Sequence, residues 1–145
     1  TATIPPLEIL EAAYPVAFTQ WALRPDSGGE GKHRGGLGAI YEIELLEENA
    51  TAFLFGERGK YPPKGVVGGG SGATNKFFYD CDDPDAKDGK KSPELVSKIT
   101  GVSLKKGQRV RLETPGGGGY GDARERTALR HEYDVAQGYV TRTVK

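Results

Sequence analysis

Alternating apolar and polar residues mark several short stretches of this chain as β-strands. In residues 39–46, apolar side chains alternate with Glu42 and Glu44, which is typical of a strand with one face in solvent. Residues 50–55 are predicted to return beside this stretch and form a hairpin with it. Four more stretches are predicted strands: residues 14–23, 77–79, 98–104 and 108–114. The pattern therefore predicts a mainly β protein of about six to eight short strands.

Helical signals are few and lie near the ends of the chain. Prolines at the start of residues 4–12 exclude a helix interior there, and they predict a short extended or one-turn segment against a partner or a sheet edge. Towards the other end, Asp122 is a candidate N-cap for a helix from about residue 123, and Gly138 is its predicted stop. The spacing of Leu129, Tyr133 and Ala136 is predicted to place them on one face of this helix.

The remaining stretches carry weaker predictions. Residues 80–91 hold aspartates and lysines with almost nothing apolar, and they are predicted to form a solvated loop. A single helical turn is predicted at residues 92–95, a tight turn at 105–107, and a final strand or extended tail at 139–144.

Three glycine-rich blocks interrupt the strands, at residues 26–38, 62–72 and 115–122. Glycine is costly to order, so a chain places it where backbones must approach closely. Many of these glycines fall three apart, which matches the three residues per turn of polyproline II. We therefore expect the blocks to meet in space as polyproline-II-like segments, rather than to be disordered linkers, with their amides bonded to neighbouring segments or to water. The glycines expected to make this packing are Gly28, Gly31, Gly35, Gly68, Gly69, Gly116, Gly119 and Gly121.

Composition narrows the classes of function. The 145 residues predict one domain, and twenty basic and twenty acidic side chains cancel, so bulk charge indicates neither a nucleic acid nor an anionic membrane as partner. The apolar runs are too short for a transmembrane helix, and no signal peptide is recognisable. The single cysteine, Cys81, excludes an internal disulfide and fits a reducing compartment. We expect a cytoplasmic protein.

Few motifs suggest chemistry. Residues 68–73 match a dinucleotide-binding glycine pattern, but no buried strand precedes them and no helix follows. The two histidines, His33 and His131, lack metal-ligand spacing, and we expect no metal on this chain. Ser27 near His33 is better explained as a turn residue than as a nucleophile, and the acidic stretch 80–85 lacks the ordered spacing of a calcium loop.

One constellation remains as a candidate site. Lys32, His33 and Arg34 are flanked by glycines whose amides could form a concave nest for an anion or a carboxylate. The alternative is that Arg34 pairs structurally with Asp26 or Glu30. Lys32 and Arg34 are therefore predicted to contact either an anionic intermediate or a neighbouring subunit.

The order of these blocks resembles a known family. The segment 23–38, then 62–69, then 115–122 with Asp134, Val135 and Gly138 is similar to the C-terminal segment of the hydantoinase B/oxoprolinase family, here as a separate chain of residues 1–145. Within that family it resembles most the small subunit of acetophenone carboxylase. Glu57 stands where the family often has Asp, and Ala123 where a proline is common.

The resemblance implies a small, barrel-like arrangement of two sheets that runs into the glycine cluster, with one short C-terminal helix. It implies a mainly structural subunit of an ATP-dependent ketone carboxylase that converts acetophenone and bicarbonate to benzoylacetate. ATP and Mg²⁺ would be bound by larger subunits of a hetero-oligomer, and this chain alone would not be catalytic. Two alternatives stay open: a subunit of an ATP-dependent hydantoinase or oxoprolinase that hydrolyses a cyclic amide, and a free-standing β domain that binds a small ligand.

Overall fold

The computed structural model describes residues 5–82, 89–93 and 97–141. Seven strands, two α-helices and one 3-10 turn make up this part of the chain. In chain order the elements are α1 (Leu7–Ala13), β1 (Val16–Leu23), β2 (Ala39–Leu45), β3 (Asn49–Phe55), β4 (Lys76–Asp80), β5 (Lys90–Lys91), β6 (Lys98–Lys105), β7 (Arg109–Glu113), the 3-10 turn (Ala123–Glu125) and α2 (Ala128–Ala136). The prediction of a mainly β protein with one short C-terminal helix is confirmed.

The strands form two antiparallel sheets. The larger sheet has the order β1-β2-β7-β4-β5, and the smaller one pairs β3 with β6. A register shift between Phe18 and Gln20 bends β1 and brings Phe18 and Trp21 to the same face of the large sheet, opposite Ile43 and Tyr41 respectively. The large sheet ends at β1 and β5, so the sheets are barrel-like only in their two-sheet arrangement and do not close.

The predicted hairpin of residues 39–46 and 50–55 is wrong in its pairing, although both strands exist. Strand β2 already has β1 on one edge and β7 on the other, so β3 cannot add to it. β3 instead pairs with β6, a strand far from it in the sequence; Ala50, for example, lies opposite Leu104. Alternation identified the strands, but it contains no information about which strand lies beside which.

Both ends differ in detail from the sequence prediction. Residues 7–13 form a helix, α1, because the prolines precede it and leave its interior free; Pro6 occupies the N-cap position without a side-chain capping bond. Asp122 does cap a helical segment, but this is the 3-10 turn, whose Arg124 amide donates to the Asp122 carboxylate; α2 begins later, after Thr127. Gly138 ends α2 with a φ of 70°. The helical turn at 92–95 and the tail 139–144 lie partly outside the described residues.

The apolar face predicted for α2 does not pack inward. Leu129 and Tyr133 are exposed, and the one fully buried residue of the helix is Asp134. The helix is held by charged groups rather than by apolar ones, as described below.

The apolar core of the described residues is small. It consists of four buried side chains, Ile40, Leu45, Phe77 and Leu104, whereas thirteen large hydrophobic side chains in the same part of the chain are exposed. Among the helices that the structure describes, none is long and apolar enough to cross a membrane.

Candidate functional site

The three glycine blocks lie side by side with their backbones in contact. A Cβ placed on Gly116 would lie within 3.0 Å of the backbone of Ser27, and one on Gly35 would meet Gly117 in the same way. At Gly31 the added carbon would be 2.7 Å from the carbonyl oxygen of Tyr120. Any side chain at these positions would push the segments apart, so the sequence requires glycine there.

The second block completes the cluster. Gly29 of the first block contacts both Gly70 and Gly119, and Gly69 contacts Gly119. All three blocks therefore meet, as their composition suggested. Gly28 belongs to the same close contacts, through Gly35 within its own block.

Two of the named glycines have a different reason for their identity. Gly68 and Gly121 adopt φ values of 86° and 74°, a left-handed conformation that a side chain disfavours. Added carbons there would be 3.9 Å and 3.1 Å from their nearest neighbours, so space is not the main constraint. These two residues turn the chain rather than permit close packing.

The amides of the cluster are used between its segments. Gly29 donates to the Gly117 oxygen at 2.9 Å, Gly70 to the Glu30 oxygen at 2.7 Å, and Gly119 to the Gly70 oxygen at 2.9 Å. Tyr120 and His33 exchange a pair of backbone hydrogen bonds, and Val66 and Tyr120 form a parallel bridge. The cluster is thus a small hydrogen-bonded assembly of irregular segments.

A buried arginine and serine attach this cluster to the large sheet. Arg24 forms an ion pair of 3.2 Å with Glu113, and its Nη1 donates to the carbonyl oxygens of Thr74 and Thr114 at 2.7 and 2.9 Å. The Ser27 hydroxyl donates to the Arg24 oxygen and accepts from the Gly38 amide. Because Ser27 is fully buried with its hydroxyl occupied on both sides, it is a structural residue and not a nucleophile.

The candidate site residue Arg34 lies in a charged cluster with the C-terminal helix. Its Nε is 3.1 Å from Oδ2 of Asp134, and its guanidinium lies over the ring of Tyr139, 5.5 Å from the centroid. Arg126 donates to the same carboxylate. The carboxylate facing Arg34 is therefore Asp134, and not Asp26 or Glu30, the partners considered from the sequence.

The pKa of Asp134 reflects this environment. Burial alone would raise it, but hydrogen bonds and attraction from Arg34 and Arg126 outweigh the burial and hold the pKa below its ordinary value. The charged form of Asp134 is thus the one that the fold stabilises.

Lys32 and His33 face the C-terminal segment as well. Lys32 Nζ lies 2.9 Å from Glu125, and this contact raises the pKa of Lys32. His33 Nδ1 lies 3.2 Å from the Arg130 guanidinium, and the His33 ring approaches that of Tyr120. About half of the Lys32 side chain remains exposed, so it stays accessible to a molecule outside the chain.

No three His, Cys, Asp or Glu side chains among the described residues lie close enough together to hold a metal ion. The amides of Gly29, Gly70, Gly117 and Gly119 donate to carbonyl oxygens of the cluster, so these four are not free to hold a phosphate.

Sequence reasoning named Lys32 and Arg34 but missed the partners that define their surroundings. Asp134 was noted only as part of the family resemblance, and Arg126 was not singled out, because a single aspartate in a helix gives no signal of burial. Arg24 was likewise overlooked, although a lone arginine followed by proline at the end of an apolar strand could have suggested a buried anchor.

Comparison with known proteins identifies the family of this chain. The hydantoinase B/oxoprolinase family model matches residues 1–123. The chain belongs to the hydantoinase B/oxoprolinase family. The match includes all three glycine blocks, whereas Arg126 and Asp134 lie beyond it. The family resemblance of the sequence is confirmed, and a specific resemblance to acetophenone carboxylase stays a prediction.

Named proteins are among the relatives of this chain. Caprolactamase subunit beta of Pseudomonas jessenii is 33% identical over 142 residues, which are 93% of this chain and 23% of that protein. 5-Oxoprolinase 1 of Arabidopsis thaliana is 36% identical over 114 residues, 79% of this chain and 8% of that protein. The chain thus spans less than a quarter of these family members.

Solved structures agree with the fold. The ATP-dependent caprolactamase of Pseudomonas jessenii superposes with a TM-score of 0.80 at 33% identity, over 93% of this chain and 23% of that one. A nucleotide-free acetone carboxylase superposes with a TM-score of 0.76 at 21% identity, over 95% of this chain and 22% of that one, which shows a common fold.

Proposed function

We propose that this chain is a structural and assembly component of a larger ATP-dependent enzyme that hydrolyses a cyclic amide. The observation that carries the proposal is the imbalance of burial, with four buried apolar side chains against thirteen exposed large ones in the described residues. A free-standing domain of this size buries a larger apolar core. This argues against the alternative of an independent ligand-binding β domain.

The glycine cluster supports a structural role. The amides of Gly29, Gly70, Gly117 and Gly119 are paired with carbonyls, and the Ser27 hydroxyl and the Asp134 carboxylate are engaged within the fold. A group that is held on every side has no free position from which to act on a substrate. ATP and Mg²⁺ are therefore assigned to other parts of the enzyme. The cytoplasmic location expected from the sequence stays part of this proposal.

The choice of a cyclic amide rests on the relatives above 30% identity whose names state an activity. These are a caprolactamase subunit and 5-oxoprolinases, and both substrates are lactams. The sequence analysis placed ketone carboxylation first, and the relatives favour its alternative. Carboxylation of acetophenone to benzoylacetate stays the second candidate, supported by the fold shared with acetone carboxylase.

Lys32 and Arg34 differ in how accessible they are to another molecule. Arg34 is partly buried and pairs with Asp134, so an external anion would have to displace a carboxylate that two arginines hold. Lys32 is exposed enough to contact a neighbouring part of the enzyme. Replacing Lys32 by alanine should lower the ATP-dependent activity of the assembly without changing the unfolding midpoint of the chain, and Lys76→Ala, an exposed lysine on β4, is the control.

The deciding experiment is purification of the untagged chain from its native source, followed by mass determination of the polypeptides that accompany it. We then expect ATP hydrolysis by the purified assembly to be stimulated by caprolactam or 5-oxoproline. Stimulation by acetophenone with bicarbonate would support the second candidate instead. A pure monomer without a larger partner would overturn both.

A further inference from the structure

One face of the large sheet carries an apolar groove of about 290 Å³. Cross-strand neighbours on β1, β2 and β7 build its floor, with Trp21 beside Tyr41 and Tyr41 beside Leu112. Phe18 lies opposite Ile43 on the same face. The rings of Trp21 and Tyr41 make an edge contact, with centroids 4.5 Å apart.

The opposite face of the same sheet is charged. Arg109 and Arg111 of β7 form ion pairs there with Glu44 and Glu42 of β2, at 2.7 and 3.4 Å. The two faces of the sheet thus differ: the charged side chains of one face are paired with each other, and the other face is apolar. A sheet with one apolar face must cover that face with another layer.

Within the described part of the chain, helix α1 covers one rim of this groove. Leu10 of α1 lines the groove, and Glu11 accepts a hydrogen bond of 2.6 Å from the Phe18 amide, which holds α1 at β1. No residue of α1 is buried, and Trp21, the single tryptophan of the chain, stays 41% exposed. The cover is therefore incomplete.

The relatives indicate what completes it. Caprolactamase superposes on 93% of this chain, yet this chain accounts for only 23% of the caprolactamase chain. The rest of such a polypeptide could therefore supply the layer that covers the apolar face of the sheet. A small ligand fits less well, because no charged side chain lines the groove and specific ligand sites need polar groups that fix orientation.

We propose that the apolar groove beside Trp21 seats an apolar segment of the larger hydantoinase B-type polypeptide in the assembly. This inference rests on the proposed function and adds the surface through which the two parts meet. Trp21 fills the centre of the contact, as buried aromatic side chains do at protein interfaces.

The test uses this chain labelled with 5-fluorotryptophan, which gives a single ¹⁹F resonance because Trp21 is the only tryptophan. Adding the unlabelled larger polypeptide that co-purifies should shift and broaden this resonance. Trp21→Asp should weaken the association by roughly 30-fold, the effect of a hot-spot residue. Phe53→Asp, a change at an exposed aromatic residue of β3 outside the groove, should leave the affinity unchanged.

The other occupants give different results. A shift caused by caprolactam or acetophenone alone would assign the groove to a small molecule, and a shift that depends on the concentration of this chain alone would assign it to a second copy. Either result would overturn the inference, as would binding of the larger polypeptide with an unmoved resonance and equal affinities for both variants. In that last case the proposed function would stand. Absence of a larger polypeptide would overturn both.

Discussion

Arg34 Nε lies 3.1 Å from Oδ2 of Asp134, and this ion pair joins the first glycine block to a helix one hundred residues further along the chain. Only 4% of the Asp134 side chain is exposed, and Arg126 donates to the same carboxylate. The C-terminal helix has no buried apolar residue, so this carboxylate is its main attachment to the glycine cluster.

Replacing Asp134 by asparagine should therefore destabilise the protein. Two partly buried arginines would lose their shared carboxylate, and we expect the free energy of unfolding to fall by about 2–3 kcal/mol. Chemical denaturation measures this change. The matched control is Glu132→Gln, which neutralises an exposed carboxylate on the same helix and should have almost no effect. Equal effects of the two variants would show that the attachment of α2 lies elsewhere.

The same carboxylate should make stability depend on pH. Its pKa is lower in the folded protein than the ordinary value of about 3.9, so its contribution to stability is present above that value. The contribution is lost as the pH falls through the folded pKa. We expect the difference in unfolding free energy between the wild type and Asp134→Asn to be constant near neutrality and to shrink below about pH 4. A difference that stays constant down to pH 2 would contradict this assignment.

Sequence patterns predicted the elements better than their partners. Alternation located β2 and β3, and glycine content indicated that the three blocks meet, because both are local consequences of side-chain size and polarity. The pairing of β3 with β6 depends on which edge is already occupied, and no local pattern contains that information. The polyproline II conformation of the blocks stays a prediction.

The candidate site divides in the same way. The sequence singled out Lys32 and Arg34 because glycines flank them, which is a local signal. It placed Leu129 and Tyr133 on one face of α2, and an apolar face of a helix usually packs inward. The fold instead buries Asp134. This burial is possible because Arg34 and Arg126 bind its carboxylate, and only the tertiary structure brings Arg34 near it.

The glycines of the cluster should differ sharply in their tolerance of alanine. A Cβ on Gly119 would lie within 3.0 Å of the backbones of Gly29 and Glu30, so Gly119→Ala should cost about 3 kcal/mol. Gly36, in the first block, has open space around its added carbon and no positive φ. Gly36→Ala should be neutral or stabilising by about 0.4–1 kcal/mol, through the unfolded state. Thermal unfolding of the two variants measures the contrast, and similar costs would show that close packing is not what requires glycine.

Replacing Val67 by glycine should not destabilise the protein, although the residue is a valine in this sequence. This β-branched residue adopts a φ of 53° and is 69% exposed, so burial of its side chain does not offset the backbone strain. The left-handed conformation costs an L-residue about 1–2 kcal/mol, and glycine adds about 0.5–1 kcal/mol of ordering entropy. We therefore expect Val67→Gly to be neutral or up to about 1 kcal/mol more stable. Its neighbour Val66 is exposed too but has no positive φ, so Val66→Gly should be destabilising. Equal losses of stability in the two variants would mean that the conformation of Val67 carries no strain. If only Val66→Gly is destabilising, stability does not explain the valine at position 67, and contact with another part of the enzyme is the remaining reason for it.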